Sequence, residues 1–469
     1  MAQNLSRGPE TSAGGTSGPG DGAADQAPGR RVGDIVAVGT RAAGGGRIEL
    51  AEPPRPGEPT TRWRSRASSI DEIEKEISRI WSEADLAAGY EGSTGRQVGA
   101  RTSVMNLVVI ARAQETGARA ASTISQLTGR HPSRTLIVLS ADPDGAPWLD
   151  ARIEAHCVLP RPDAPETCSE LIFLTAGGET GQHLAALVVP LLIHDLPVTV
   201  WWPGEPPFGS LNADEILSGT DRLVVDGSAW SGDGLERLVR LGGQLERYPR
   251  LSIRDFALLR QSRWREAIAT IFDLDDFMPF LPFVKRISVA YAAGDESGAP
   301  GTTNVIKPLY HVAWLASRLG MTVTSPLAPV EPKGRAAAPR LRPGEKPPLH
   351  RGLAARLRDR NRSEVAVVIR PIASSAPPGT TLRVEILAER RGSELRADVT
   401  AEAENVHVHT WLDGVEAVDR TFKAPRRGDT DLLAEAIEVG GRDAVTVGTT
   451  RMAAALAGAR RTNDDGEPD

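Results

Sequence analysis

The sequence predicts an α/β domain with a largely parallel or mixed sheet, followed by an α+β domain with antiparallel strands, behind a disordered N-terminal tail. Three observations predict it. "SVMNLVVIA" and "TLIVLS" are continuous apolar runs separated by a helical stretch, as in a parallel β-α-β unit. Beyond residue 362 the strands alternate apolar and polar residues instead, the pattern of antiparallel strands solvated on one face. Residues 1–66 contain "TSAGGTSGPGDGAADQAPGR", with too little apolar surface to offset the entropy of ordering.

Each element follows in turn. "GDIVAVGT" has the composition of a strand, but nothing beside it makes a partner. "SSIDEIEKEISRIW" opens a helix over 69–87: Ser69 with Glu72 fits a capping box, and Ile70, Ile73, Ile77 and Ile80 share one face. A strand ends near Ala111. The helix 114–128 follows, stopped by Gly129 and Pro132. "DARIEAHCVL" and "SELIFLTA" read as strands flanking a polar loop, in the manner of a hairpin. "GQHLAALVVPLLI" reads as a buried helix kinked at Pro190. "PVTVWW", "DRLVVD" and the helices "DGLERLVRLGGQL" and "DFALLRQSRWREAIATIFD" complete a first domain over 67–280. The second, 281–460, begins with the strand "VKRISVAYA" and the helix "LYHVAWLASRLG". It carries a proline-rich loop at 326–349, then alternating strands, then helices at about 428–440 and 443–457. An acidic tail, 461–469, closes the chain.

Composition narrows the function classes. At 469 residues the chain exceeds one ordinary core, and 40% hydrophobic residues suffice to build two. A net charge of -6 argues against nonspecific nucleic-acid binding. No run approaches the roughly 18 apolar residues of a membrane span, and the N-terminus lacks the apolar core of a secretory signal. With only Cys157 and Cys168, the expectation is a cytoplasmic protein with reduced thiols.

Candidate chemistry is sparse. In open α/β sheets ligands sit beyond the carboxyl ends of the strands. That edge would carry Ser140, Asp142, Thr175 to Gly178, Trp201, Trp202 and Asp226. "TAGGETGQHL" is a glycine turn opening a helix. It lacks both G-x-G-x-x-G and the P-loop pattern, so a plain turn outweighs an anion site. No nucleophile-elbow, zinc-protease or C-x-x-C motif occurs, and no cofactor is indicated. His407 and His409 share a strand face without a third ligand, and His183 and His194 lie about 16 Å apart along a helix. No metal is therefore expected. Cys157 and Cys168 become cross-strand neighbours in a hairpin, which leaves a redox role open against the reduced default.

The partner-binding candidates are the corner Arg130, His131, Ser133 and Arg134, the pair Trp201 and Trp202, and the helix residues Arg260, Trp264 and Arg265. Guanidinium groups grip carboxylates or phosphates and stack on indoles. An aromatic beside a rigid proline turn anchors partners. The bland alternatives are a helix stop, core packing and solvated arginines.

Five segments in order carry a resemblance: "NLVVIA", "RHPSRTLIVL", "DLPVTVWWPGEPP", "SRWREAIATIFD" and "AWLASRLGM". They are similar to those of the glucose-6-phosphate dehydrogenase assembly protein OpcA family of bacteria, over about residues 70–325 and more loosely beyond. The resemblance implies a non-catalytic factor that promotes assembly and activity of glucose-6-phosphate dehydrogenase in the oxidative pentose phosphate pathway. Some family members carry a thioredoxin-linked thiol switch, to which Cys157 and Cys168 do not match. A sugar-phosphate-binding enzyme or sensor, using the strand-end edge and the arginine corner, is the second expectation.

Overall fold

The structure is a computed structural model. It describes residues 46–47, 55–82, 103–141, 144–161, 166–293, 301–330, 352–438 and 440–458. The chain divides into Met1–Asp34, outside the described residues, and a compact unit of Ile35–Asp469. The expected tail up to residue 45, the strand "GDIVAVGT", Asp142, most of the proline-rich loop and the acidic end also lie outside the described residues.

The first sheet has nine strands in the order β1-β2-β5-β6-β4-β3-β7-β8-β9. Its members are β1 (Gly46–Arg47), β2 (Pro59–Ala67), β3 (Met105–Ala111), β4 (Ser133–Ser140), β5 (Trp148–Val158), β6 (Thr167–Gly177), β7 (Val198–Trp202), β8 (Arg222–Val225) and β9 (Ser252–Asp255). The six strands from β6 to β9 run parallel, while β5, β2 and β1 pair antiparallel at one side. Numbered in chain order, the parallel strands read 3-2-1-4-5-6, the order of doubly wound nucleotide-binding sheets. β3 is buried at every position because helices cover both faces.

The second sheet has eight strands in the order β11-β12-β13-β10-β14-β15-β16-β17. They are β10 (Val284–Ala292), β11 (Thr322–Pro329), β12 (Leu353–Arg358), β13 (Glu364–Ile372), β14 (Thr381–Arg390), β15 (Ser393–Glu402), β16 (Asn405–Leu412) and β17 (Val415–Lys423). All its pairings are antiparallel except β10 with β13. Alternation is as expected: Val384, Ile386 and Ala388 are buried, while Arg383, Glu385 and Leu387 are half-buried.

Several expectations need correction. The tail does not extend to residue 66: β2 occupies 59–67 and inserts Thr61, Trp63, Ser65 and Ala67 inward against β5. Alternation there is carried by small and polar residues, so the strand reads as polar chain. The helix after β6 is three pieces, Gly178–Gln182, Leu184–Val188 and the 3₁₀ turn Val189–Leu191. The helix 256–271 breaks into Phe256–Leu259 and Ser262–Ile271. Pro326 and Pro329 belong to edge strand β11, not to the proline-rich loop. The closing helices also return to the first sheet. Leu432, Leu433 and Ala436 of Asp429–Glu438 join a core with Val109, Ile124 and Ile137, and the Cβ of Ala454 packs directly over Gly242.

Candidate functional site

The carboxyl ends of β8 and β9 gather a cluster of ionisable groups, Asp226, Asp255, Arg260 and Lys307. Asp255 closes β9 and caps the helical turn Phe256–Leu259. Its Oδ1 accepts from the Gly227 and Ala257 amides at 2.9 and 2.8 Å, and its Oδ2 accepts from the Tyr310 hydroxyl at 2.7 Å. Burial, with the Asp226 carboxylate behind it, pushes the Asp255 carboxyl up to about 7. Burial likewise raises the Tyr310 hydroxyl, and Asp255 adds to the effect.

Asp226 begins the next layer. Arg260 donates from Nη1 to both of its oxygens at 2.8 Å, and from Nη2 to Asp429 at 3.3 Å. Lys307, at the start of the helix Ile306–Arg318, is lowered by burial and by the Arg260 charge. Asn304 ties the cluster to the chain by donating to Gly227 O and Trp230 O at 2.8 and 3.0 Å. The arrangement binds opposite charges to one another. The Arg260 fork is already engaged by carboxylates, so an incoming anion would have to displace Asp226 or Asp429.

A dinucleotide would instead sit where the strand order reverses, between β3 and β7. The turn leaving β3 there is Arg112–Ala113, with the helix starting at Gln114. It presents side chains where nucleotide-binding turns need glycine for close backbone approach, so these residues do not fit a pyrophosphate. Gly117, one turn on, keeps the packing role alone: a Cβ there would meet Ile137 at 3.3 Å.

The residues expected to bind a partner disperse. Arg130 and His131 reach Glu438 of the closing helix, His131 Nε2 at 3.3 Å, on the rim of an open cleft with Arg427, Asp431 and Glu435. Ser133 and Arg134 point inward: Ser133 Oγ lies 3.0 Å from Thr135 Oγ1, and Arg134 pairs with buried Glu170 and donates to Leu191 O at 2.8 Å. Trp201 and Trp202 face opposite sides of the sheet, as expected, but both are 2% exposed and neither is a surface anchor. Trp264 is buried with its ring 5.0 Å from His311. The nearby guanidinium groups go elsewhere, Arg260 over Phe256 at 5.7 Å and Arg265 to Leu258 O. Of this list, Arg130, His131 and Arg260 keep 65%, 18% and 26% of their side chains in solvent, and Arg265 is half-buried, while the others are buried.

The reduced-thiol expectation is overturned: Cys157 and Cys168 are directly paired in the β5–β6 hairpin and joined as a disulfide. His407 lies 3.5 Å from Glu402, whereas His409 lies 3.6 Å from Asp419 with Glu416 also within 4.8 Å, a third group that the sequence alone did not place beside it. Residues 31 positions apart also form a buried relay with no local motif to announce it. His156 Nε2 meets Glu154 at 2.8 Å, and Nδ1 meets Ser125 Oγ at 3.0 Å. Burial opposes ionisation of Glu154, but His156, Arg152 and Arg64 hold its carboxyl below the usual range. Ser125 donates its proton to Ala121 O at 2.8 Å, and all three residues are buried, so the relay braces the hairpin and offers no nucleophile.

Two family models match the sequence. One, described as the glucose-6-phosphate dehydrogenase subunit N-terminal domain, matches residues 123–241; the other, described as the corresponding C-terminal domain, matches 251–445. No curated protein matches. Solved structures similar to this chain include a biliverdin reductase from Synechocystis, solved with biliverdin and NADP+ (10% identity, 76% of this chain, 99% of that chain, TM-score 0.39). Another is an aldose-aldose oxidoreductase from Caulobacter crescentus complexed with glycerol (13%, 75%, 95%, TM-score 0.39). A third is an oxidoreductase from Sinorhizobium meliloti (11%, 75%, 86%, TM-score 0.39). Likeness at this level fixes neither activity nor ligand.

Proposed function

This chain belongs to the OpcA family of glucose-6-phosphate dehydrogenase assembly proteins, and from that membership we propose that it is a non-catalytic allosteric activator of the dehydrogenase in the oxidative pentose phosphate pathway. An assembly role beside glucose-6-phosphate dehydrogenase comes with the family. Activation, the absence of turnover and a cytoplasmic location are the parts proposed. The observation that carries the reading is that the two family matches together run from residue 123 to 445, through both sheets.

The site chemistry supports a contact role. The charges at the strand ends are engaged with each other, and the Ser125–His156–Glu154 relay is buried. Arg130 and Glu438 on the open cleft keep 65% and 43% of their side chains in solvent, so a partner's ion pairs can exchange with theirs. Activation requires tighter binding to the active dehydrogenase oligomer than to the inactive one. Mixing the purified proteins and following mass and rate tests this: a complex and a faster rate are expected. Arg130→Glu should weaken both about tenfold. No complex and no rate change across micromolar concentrations contradict the reading.

A second reading has one observation in its favour: Arg260 and Lys307 both stand at the carboxyl edge, where open α/β sheets hold ligands. It makes the chain a sugar-phosphate-binding enzyme or sensor. Titration calorimetry with glucose 6-phosphate and 6-phosphogluconolactone separates the two. Saturable binding lost in Arg260→Ala supports this second reading, and silence with every sugar phosphate removes it.

A further inference from the structure

The eight-stranded sheet is finished on one face only. Its inner side chains, among them Ile287, Val367, Val384, Ala397 and Val408, belong to the main core. Its outer face is a grid fixed by register. One row crosses Ala354, Val368, Ser288, Glu385, Asp398, His409 and Asp419. The next crosses Arg356, Ala366, Arg286, Leu387, Arg396, Trp411 and Glu416. Apart from Asp398, which lies beneath Arg396, these residues keep part of their surface in solvent, so among the described residues the face has no second layer.

The two halves of this face differ in height. On the β12, β13 and β10 side it is low, with Ala354, Ala366, Val368 and Ser288. On the β15, β16 and β17 side it is raised, with Arg396 over the Trp411 ring at 5.1 Å and His409 stacked beside that ring at 6.1 Å. The low half is bounded by Arg286 and Arg356, whose guanidinium groups pair with Glu385 and Glu364 of the same copy, while the raised half carries Arg396 and ends in Asp419 and Glu416.

We propose that this face is the interface of a two-fold homodimer, in which the low half of each copy receives the raised half of the other. An axis along the strands, between β10 and β14, keeps the rows and reverses strand order. Ala354 then meets His409, Ala366 meets Arg396, and Arg356 meets the Trp411 end of the raised half. Each small residue faces a large one, and the contact closes on itself as an isologous interface must. A third row on the same face crosses Arg370, Ala290, Arg383, Thr400, His407 and Thr421; strands about 4.8 Å apart and three rows about 6.8 Å apart make roughly 700 Å² per copy, close to the ~800 Å² per partner of a standard stable interface. The inference stands apart from the proposed activation. A dimer would, however, carry two copies of any dehydrogenase-binding surface, a direct route to bridging subunits.

Sedimentation of the full chain alone tests it, independently of any dehydrogenase. The wild type should sediment as a dimer at micromolar concentrations. Ala354→Arg with Ala366→Arg should give a folded monomer, with an unchanged far-ultraviolet spectrum. As an independent measurement that needs no disruption, Ala354→Cys with His409→Cys should yield an oxidised, intermolecularly linked dimer on a denaturing gel. A wild type that is monomeric up to about 100 µM overturns the proposal, as does a dimer unaffected by the arginine pair or a cysteine pair that forms no cross-link.

Discussion

The two sheets bury their strands by different means. The parallel strands of the first are covered on both sides, and their order is written in continuous apolar runs such as β3 and β4. Polar groups that enter this sheet arrive with their partners: Arg134 with Glu170, His156 with Glu154 and Ser125, Asp255 with Tyr310. The second sheet alternates, and its outer polar rows remain half-buried. Burial on two sides demands internal compensation, whereas burial on one side leaves a surface that a partner can complete.

Matched substitutions sharpen this contrast. The largest effect should come from tryptophan. Trp202→Ala in the first sheet should cost about 3–5 kcal/mol, read from urea unfolding, whereas outward Trp411→Ala, measured on the monomeric Ala354→Arg/Ala366→Arg background, should cost under about 1 kcal/mol. Equal losses would break the comparison. Next come the arginines of one corner. Arg134→Ala removes the charge partner of the buried Glu170 carboxylate, which keeps the Trp81 indole N–H, and should cost about 3 kcal/mol. Arg130→Ala removes an exposed pair with Glu438 and should cost at most about 1 kcal/mol.

Opening the Cys157–Cys168 bridge, which closes a separation of 11 residues, should cost about 2–3 kcal/mol from loop entropy. The double serine variant measured against the oxidised wild type checks this.

The last test is a pH slope. Asp255 is raised to about 7 from an unfolded value of 3.8. Between those values the folded state binds the extra proton, so its contribution is full below pH 3.8 and is lost as pH rises through 7. The stability of wild type minus Asp255→Asn should therefore fall between about pH 4 and pH 7 and then level off. A difference that is flat across that window would place Asp255 outside the buried cluster.

Much of this architecture was legible in the sequence. The β3-helix-β4 unit, the β5–β6 hairpin and the alternating strands of the second sheet all follow from periodicity, because burial is what sets periodicity. β2 was not legible, since Thr61, Ser65 and Ala67 bury little apolar surface. The short strand β9 and the breaks around His183 and Gln261 escaped for another reason: tertiary packing decides them. Site residues were the least legible. Arginine or tryptophan types announce binding chemistry, yet only the fold determines whether Arg134 meets Glu170 or solvent. Asp255 and Tyr310, the most perturbed pair, are 55 residues apart with no motif between them.

The central claim is that this chain acts by contact on glucose-6-phosphate dehydrogenase. The most direct measurement is the dehydrogenase rate and mass with and without stoichiometric purified chain. The account predicts a complex of larger mass with a higher rate, while the chain alone converts no substrate. A rate and mass unchanged by the chain, or turnover by the chain alone that a single side-chain change abolishes, would contradict it.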